Sequence, residues 1–221
     1  MITSYHIRLL IEECRGIGRL GLDNGISAFI PQLELDILKP PLDFIGVHNN
    51  PAIFVNKETY KLLGRLHRNW VENKTIVVKK SFLNEAAIDV LGAIIHETGH
   101  AFNVAANIEN NEANAYIYEI EVMRKLYEAK SALLLGCSFA DIQSFFKRRL
   151  AFYQLETSKS EHLTHLVDSI KDEYRLENET LVQNSSSETS SLLTNGNMSL
   201  FSLKQQFKER TMLSTRMILE F

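Results

Sequence analysis

The sequence predicts a small α+β protein, mainly helical, with a small mixed β-sheet that precedes one central helix. Three observations favour this class. The chain has 221 residues, 45% of them hydrophobic, which is enough for one core of ordinary size. Apolar residues recur at helical spacing in most segments up to about position 175. Short apolar runs typical of strands all lie before position 81.

Each element before the central helix is predicted from a local pattern. Ile7, Leu10 and Ile11 form one face of a helix at 4–15, and frequent Gly and Pro residues favour a loop with short elements at 16–42. The other predicted elements are strands at 43–47 and 52–55, a helix from Asn56 to about Val71, and a strand at 75–80.

The central helix is predicted from about 85 to 105. Asn84 is a favourable N-cap residue, and Glu85 suits the first helical turn. Asn103 is expected to lie close to the two histidines of this helix, His96 and His100. The apolar stripe that should face the core consists of Ala87, Leu91, Ile94, Ile95 and Phe102.

This helix contains His96-Glu97-Thr98-Gly99-His100, an HExxH motif. Residues four apart on a helix lie about 40° apart around its axis, so His96 and His100 can present two imidazole nitrogens to one metal ion. Glu97 lies on an adjacent part of the helix surface and can reach a water molecule on that metal. Gly99 is expected to let a neighbouring element pack close to the metal face.

Polar side chains in an apolar helix are costly to bury unless they have a binding partner. A metal ion would be such a partner for the two histidines. The alternative interpretation is a pair of core histidines that are hydrogen-bonded without a metal. A catalytic zinc site needs a third protein ligand. A polar turn separates the central helix from a second helix near Glu112, so the two helices should be antiparallel neighbours. Glu112 is the preferred third ligand, and Glu109 is an alternative. Glu119 is a further alternative, better suited to accept a hydrogen bond from a histidine N–H.

His96, Glu97, His100 and Glu112 together resemble the motif of the zincin metallopeptidases, specifically the gluzincins. The resemblance implies an endopeptidase with Zn²⁺ bound by His96, His100 and Glu112, and with Glu97 as the catalytic base. In zincins the strand before the metal helix is a sheet edge that pairs with an extended substrate, which implies that 75–80 is an edge. The alternatives are a metal-dependent amidase acting on something other than a protein, and a metal-binding regulatory module without catalysis.

Zincins often use a tyrosine or histidine to stabilise the oxyanion formed when water attacks the carbonyl. Tyr116, one turn after the candidate ligand Glu112, is the preferred catalytic residue for this role, and a core or cleft-wall aromatic is its other interpretation. The remaining candidates are Tyr118, His162 and His165, with Asp168 able to orient a histidine. A partly exposed helix face is the alternative interpretation of the two histidines.

Apolar spacing predicts two more helices, at 138–155 and 161–175, which complete a domain of residues 1–176. A polar, Ser-rich stretch follows, and it cannot bury enough apolar surface to offset its ordering entropy. The sequence therefore predicts a disordered linker at 177–202 and a C-terminal tail at 203–221.

Composition excludes several function classes. A formal net charge of −3 argues against nucleic acid as the main partner. Cys14 and Cys137 are far apart and lack metal-type spacing, which favours a reducing compartment. Neither a signal peptide nor a membrane span of about 20 apolar residues is recognisable. We therefore expect a soluble monomer with no membrane partner.

The small size and the C-terminal tail at 203–221 add a second resemblance. They are similar to features of bacterial effector proteases that specialised secretion systems deliver into host cells, among them zincins that cleave actin. The resemblance implies that the tail is a secretion signal and that the substrate is a protein of the host cytosol, with actin as one candidate.

Overall fold

The computed structural model describes residues 2–38, 50–57 and 67–176. Within these ranges the protein is mainly helical, with one small mixed sheet before the HExxH helix, so the predicted α+β class is confirmed. The strands are β1 (Leu35–Leu38), β2 (Ala52–Val55) and β3 (Thr75–Lys79). The α-helices are α1 (Ser4–Leu20), α2 (Arg68–Glu72), α3 (Ala87–Ala105), α4 (Glu112–Glu128), α5 (Phe139–Glu156) and α6 (Glu161–Glu173).

The central strand of the sheet is β3, with β1 parallel on one side and β2 antiparallel on the other. The expectation that the strand at 75–80 forms an edge is therefore wrong. Ile76, Val77 and Val78 are fully buried, which is typical of a strand covered on both faces. β1 forms within the segment predicted as loop with short elements. The predicted strand at 43–47 lies outside the described residues.

Side chains alternate between the two faces of the sheet. Phe54 of β2 and Ile76 of β3 belong to the main core, which also contains residues of α1 and α3. Val55 and Val77 instead pack with Trp70 of α2 in a second, smaller cluster. The short helix α2 is the described part of the second predicted helix, and it covers the face of the sheet turned away from α3.

The first helix continues to Leu20, beyond its predicted end at position 15. Gly18, which argued for a loop, is a packing position, because a Cβ atom there would lie 3.1 Å from Phe102 Cδ2 and 3.2 Å from Ile30 Cδ1. The helix ends at Gly21, whose φ of +107° is a conformation that other residues rarely adopt. Of these two glycines, only Gly21 therefore marks the end of the helix.

The HExxH helix α3 begins at Ala87, close to the predicted start. Lys80–Asn84 form a 3₁₀ turn, so Asn84 is not the N-cap, and Ala86 holds that position without a side-chain cap. The helix contacts α1, α4, α5 and the sheet, and these elements bury most of its apolar surface. Tertiary packing, rather than a cap, therefore stabilises its first turn.

The helices predicted at 138–155 and 161–175 correspond to α5 and α6. A capping box at Ser138 starts α5, which then packs against α3 and α4. A Cβ atom on Gly92 of α3 would lie 2.1 Å from Phe145 Cε2, so the close packing of α5 requires glycine at this position. This contact brings the middle of α5 next to the HExxH helix.

The predicted linker at 177–202 and tail at 203–221 lie outside the described residues. In the part of the chain that the structure covers, no helix combines the length and the apolar character that crossing a membrane requires.

Candidate metal centre

Three side chains from α3 and α4 converge on one point. The ligand atoms of His96, His100 and Glu112 all lie within 4.8 Å of one another. His96 Nε2 is 3.2 Å from Glu112 Oε2, and His100 Nε2 is 3.6 Å from Glu112 Oε1. Ligands of a tetrahedral Zn²⁺ ion, each about 2.0–2.2 Å from the metal, lie about 3.3–3.6 Å from one another. The two distances from Glu112 to the histidines are therefore close to those that a zinc ion needs.

The short connection between α3 and α4 creates this convergence. Asn111 caps α4 by accepting a hydrogen bond from the Asn114 backbone N–H at 2.9 Å. On α3, a Cβ atom at Gly99 would lie 3.1 Å from both Ala115 O and Tyr118 Cβ. Because glycine has no side chain, α4 can approach α3 closely, as expected for this position. The first turn of α4 is thereby brought to the histidines.

Neither alternative third ligand belongs to the group. Among the described residues, His96, His100 and Glu112 are the one set of at least three His, Cys, Asp or Glu side chains with ligand atoms this close. The set excludes Glu109. Glu119 lies on the other side of the His96 ring, where its Oε2 accepts the hydrogen bond from His96 Nδ1 at 2.8 Å. Its predicted role as partner of a histidine N–H matches this contact.

Glu119 is fully buried and receives hydrogen bonds at both of its oxygens. Arg149 of α5 donates from Nη2 to Oε2 at 2.6 Å and from Nε to Oε1 at 2.8 Å. The Tyr153 hydroxyl donates to Oε1 at 2.6 Å. Although burial opposes the charged form, the Arg149 guanidinium and the His96 hydrogen bond hold the pKa of Glu119 below its ordinary value. We call Glu119, Arg149 and Tyr153 the α5 network.

The second histidine is oriented by an amide. His100 Nδ1 lies 2.9 Å from Asn110 Oδ1, and Asn103 Nδ2 lies 3.5 Å from the same oxygen. Asn103 therefore lies beside the site, as expected. Because an amide oxygen only accepts, His100 carries its proton on Nδ1 and leaves Nε2 for a metal. Sequence reasoning missed Asn110, and its position in the polar turn just before α4 was the available signal.

Glu97 lies next to the metal group but is not part of it. Its Oε2 accepts a hydrogen bond from the backbone N–H of Phe54, on β2, at 2.7 Å. Burial raises the pKa of Glu97 to about 7, even though His96 and the Phe54 N–H favour the anion. A carboxylate with a pKa near neutrality can both accept and return a proton at physiological pH, which is the property of a general base that later acts as an acid.

Without a metal, a proton takes its place between the ligands. Burial opposes charge on His96, but Glu112 and Glu119 raise the pKa of His96 to about 10. Burial and the nearby His96 lower the pKa of His100 to about 4. Despite burial, His96 and His100 lower the pKa of Glu112 to about 2. Metal binding must therefore displace a proton from His96.

Tyr116 packs beside the metal group, with its ring centroid 5.1 Å from that of His96 and 5.3 Å from Arg149 Cζ. Only 7% of its surface is exposed, and burial raises the pKa of its hydroxyl above the ordinary value. The hydroxyl therefore stays protonated and can donate a hydrogen bond. This placement keeps Tyr116 as the candidate for oxyanion stabilisation.

The other candidates for that role make contacts of their own. The Tyr118 hydroxyl donates to the Cys14 carbonyl at 2.6 Å inside the core. His162 Nε2 lies 2.9 Å from the buried carboxylate of Glu121. His165 is largely exposed near Glu161, and Asp168 accepts from Lys171 rather than orienting a histidine. For the two histidines, the structure therefore favours the interpretation as a partly exposed helix face.

Comparisons of the chain with protein-family models, with curated proteins and with solved structures found no match. The chemistry of the site is therefore inferred from its geometry and from the residues of the motif.

Proposed function

We propose that this protein is a zinc-dependent endopeptidase of the zincin type. The observation that supports the proposal most is the placement of Glu97 beside His96, His100 and Glu112 without being one of the metal group. A purely structural zinc site is closed by four protein ligands and needs no base. A catalytic site has three protein ligands, one open position and a base beside them; in this proposal His96, His100 and Glu112 are the ligands and Glu97 is the base.

The donor set fits zinc. Two imidazole nitrogens and one carboxylate oxygen are the ligands of well-known zinc peptidases. His96 and His100 can both offer Nε2, because Glu119 and Asn110 engage their Nδ1 atoms. A bound Zn²⁺ ion supplies Lewis acidity, which lowers the pKa of water and polarises a carbonyl group.

The protein's own residues would carry the protons. Glu97 takes a proton from the attacking water, whose oxygen forms the new bond to the carbonyl carbon. The C–N bond then breaks, and Glu97 returns the proton to the leaving amine. The Phe54 N–H holds one carboxylate oxygen of Glu97, which fixes the direction of the other. The Tyr116 hydroxyl is the proposed donor to the oxyanion.

We also propose that the substrate is a host protein, with actin as one candidate, and that residues 203–221 serve delivery into the host cytosol. These two proposals rest on the resemblance of size and C-terminal composition alone. They are independent of the peptidase proposal, because a zinc peptidase with a substrate in its own cell would have the same metal centre.

The test uses the full chain loaded with zinc and incubated with host-cell lysate and, separately, with purified actin. New protein termini are identified by mass spectrometry, with and without a zinc chelator. We expect chelator-sensitive cleavage by the native protein and none by Glu97→Gln, which should keep its zinc content because Glu97 is not a ligand. Equal cleavage by Glu97→Gln would overturn the mechanism. Cleavage of lysate proteins but not actin would remove the actin proposal only.

A further inference from the structure

Helix α5 supplies no ligand of the candidate metal site, but its side chains hold Glu119, the carboxylate that orients His96. Among the residues that the structure describes, Arg149 and Tyr153 of α5 make three hydrogen bonds to Glu119, and His96 makes a fourth. A carboxylate offers about four lone-pair positions. All of them are therefore occupied, and His96 has one defined place. A change at any donor leaves a vacant position toward which the carboxylate can rotate.

Charge makes Arg149 the most important of these donors. Glu119 is 0% exposed, and a buried carboxylate is costly unless a positive group compensates it. Arg149 binds it with two parallel N–H groups, a geometry that fixes orientation as well as charge. Without this compensation, the buried Glu119 carboxylate would have no positive partner on α5 to hold it beside His96.

Arg149 is itself held in place by its surroundings. Its Cζ lies 5.3 Å from the ring centroid of Tyr116, 5.9 Å from that of Phe152 and 5.8 Å from that of Tyr153, distances at which a cation is attracted to a ring. The helix that carries it is anchored one turn earlier by Phe145 against α3. The guanidinium therefore has a defined orientation when it meets Glu119.

We propose that Arg149 is a positioning residue of the metal centre: by clamping Glu119, it sets the tautomer and the direction of the His96 ring, and so the strength with which His96 binds metal. The inference rests on the proposed metal site but not on peptidase activity. It adds α5 to the two helices that carry the ligands. Loss of a residue that orients a metal ligand through hydrogen bonds typically weakens metal binding about 10–100-fold.

The test uses Co²⁺ as a spectroscopic probe in the full chain. Affinity is measured by competition with a chelator, and the visible absorption bands report the coordination geometry. We expect Arg149→Gln to weaken Co²⁺ binding about 10–100-fold and to alter the bands. Arg149→Lys keeps the charge but loses the paired contact, so it should restore part of the affinity. The matched control is Arg148→Gln, which removes a half-exposed arginine that pairs with Asp89 at 2.5 Å.

A milder variant keeps the test decisive if Arg149→Gln does not fold, as thermal unfolding of the metal-free protein would show. Tyr153→Phe retains the ring and removes one donor to Glu119, so it should weaken Co²⁺ binding by a smaller factor. Unchanged affinity and bands in Arg149→Lys and Tyr153→Phe would overturn the proposal. If the variants weaken metal binding while the native protein cleaves nothing, the proposed peptidase function fails and the role of Arg149 stands.

Discussion

The two histidines of the candidate metal centre are oriented by different means. His96 donates to a fully buried carboxylate that is clamped by an arginine from another helix. His100 is hydrogen-bonded to an exposed amide, Asn110, in the turn between the two helices that carry the ligands. Hydrogen bonds to charged groups contribute about 1.5–3 kcal/mol, and those between neutral groups about 0.5–1.5 kcal/mol.

This difference separates two ways of orienting a histidine. The orientation of His96 depends on the docking of α5, and therefore on the core. The orientation of His100 depends on a local turn, so it should tolerate substitutions in α5 and in the core. Substitutions that affect one histidine but not the other can test whether this asymmetry is real.

The largest effect is expected from removing the carboxylate beside His96. Glu119→Ala removes the carboxylate that pairs with Arg149 and His96, and Arg149 is itself 27% exposed, so water can solvate part of its charge. The loss of these charged hydrogen bonds should lower the free energy of unfolding by about 1.5–3 kcal/mol. Asn110→Ala removes one exposed neutral contact and should cost about 0.5–1.5 kcal/mol. Urea unfolding of the metal-free proteins measures both. Equal losses for the two variants would contradict the asymmetry.

A second test uses pH, because His96 lies between two carboxylates, Glu112 and Glu119, whereas the Nδ1 atom of His100 faces the neutral amide of Asn110. In the metal-free protein the pKa of His96 is raised to about 10 from 6.5, so its contribution to stability is complete below pH 6.5 and is lost as pH rises through about 10. The pKa of Glu119 is lowered from 4.5, so its contribution is complete above pH 4.5 and is lost as pH falls through the folded-state value. Stability should therefore be greatest between about pH 4.5 and 6.5.

The effect should be on the order of a few kcal/mol and should be visible in urea unfolding of chelator-treated protein at pH 5, 6, 8 and 9.5. Bound zinc prevents protonation of His96 and should abolish the loss at high pH. Unchanged stability of the metal-free protein from pH 6 to 9.5 would show that His96 does not hold the proton.

A third test moves α5 without touching the polar residues. Gly92→Ala places a methyl group where the Phe145 ring lies, and the resulting shift of α5 should cost about 1–3 kcal/mol and weaken zinc binding through the α5 network. Gly16→Ala is the matched control, because a Cβ atom at that position on α1 meets nothing within 4 Å. It should stabilise the protein by about 0.4–1 kcal/mol, since alanine favours helix. Zinc affinity and unfolding are measured together, and a loss in both variants would contradict the link to α5.

The smallest effect is expected at the exposed turn. Asn110→Asp gives His100 a charged partner like that of His96, which should raise its basicity and increase zinc affinity by less than about tenfold. Glu109→Gln changes charge in the same turn without changing a residue of the metal group, so its affinity should remain that of the native protein. Competition with a zinc chelator measures both variants. A larger gain in Glu109→Gln than in Asn110→Asp would point to the general charge of the turn instead.

Local sequence patterns predicted most of the residues of this site. Four-residue spacing on a helix placed the two histidines together, and a short polar turn placed Glu112 opposite them. The role of Glu119 followed as well, because it lies two turns after Glu112 on the same helix. Each inference needed only the geometry of one helix or one turn, which depends little on the rest of the chain.

Other features depended on distant contacts. β3 is central because the short strand β1, from a segment rich in glycine and proline, pairs with it. Arg149 and Tyr153 could not be identified from the sequence as partners of Glu119. Helix α5 carries several polar residues, and its periodicity does not tell which of them faces Glu119. That choice depends on the packing of Phe145 against Gly92.

The sequence alone therefore determined the α+β class and the two helices that bring His96, His100 and Glu112 together, because helical periodicity and turn length are local properties. Only the tertiary structure decided which strand is central and which helix supports His96. These depend on the burial of apolar surface between elements far apart in the chain, and on the need of a buried carboxylate for a positive partner.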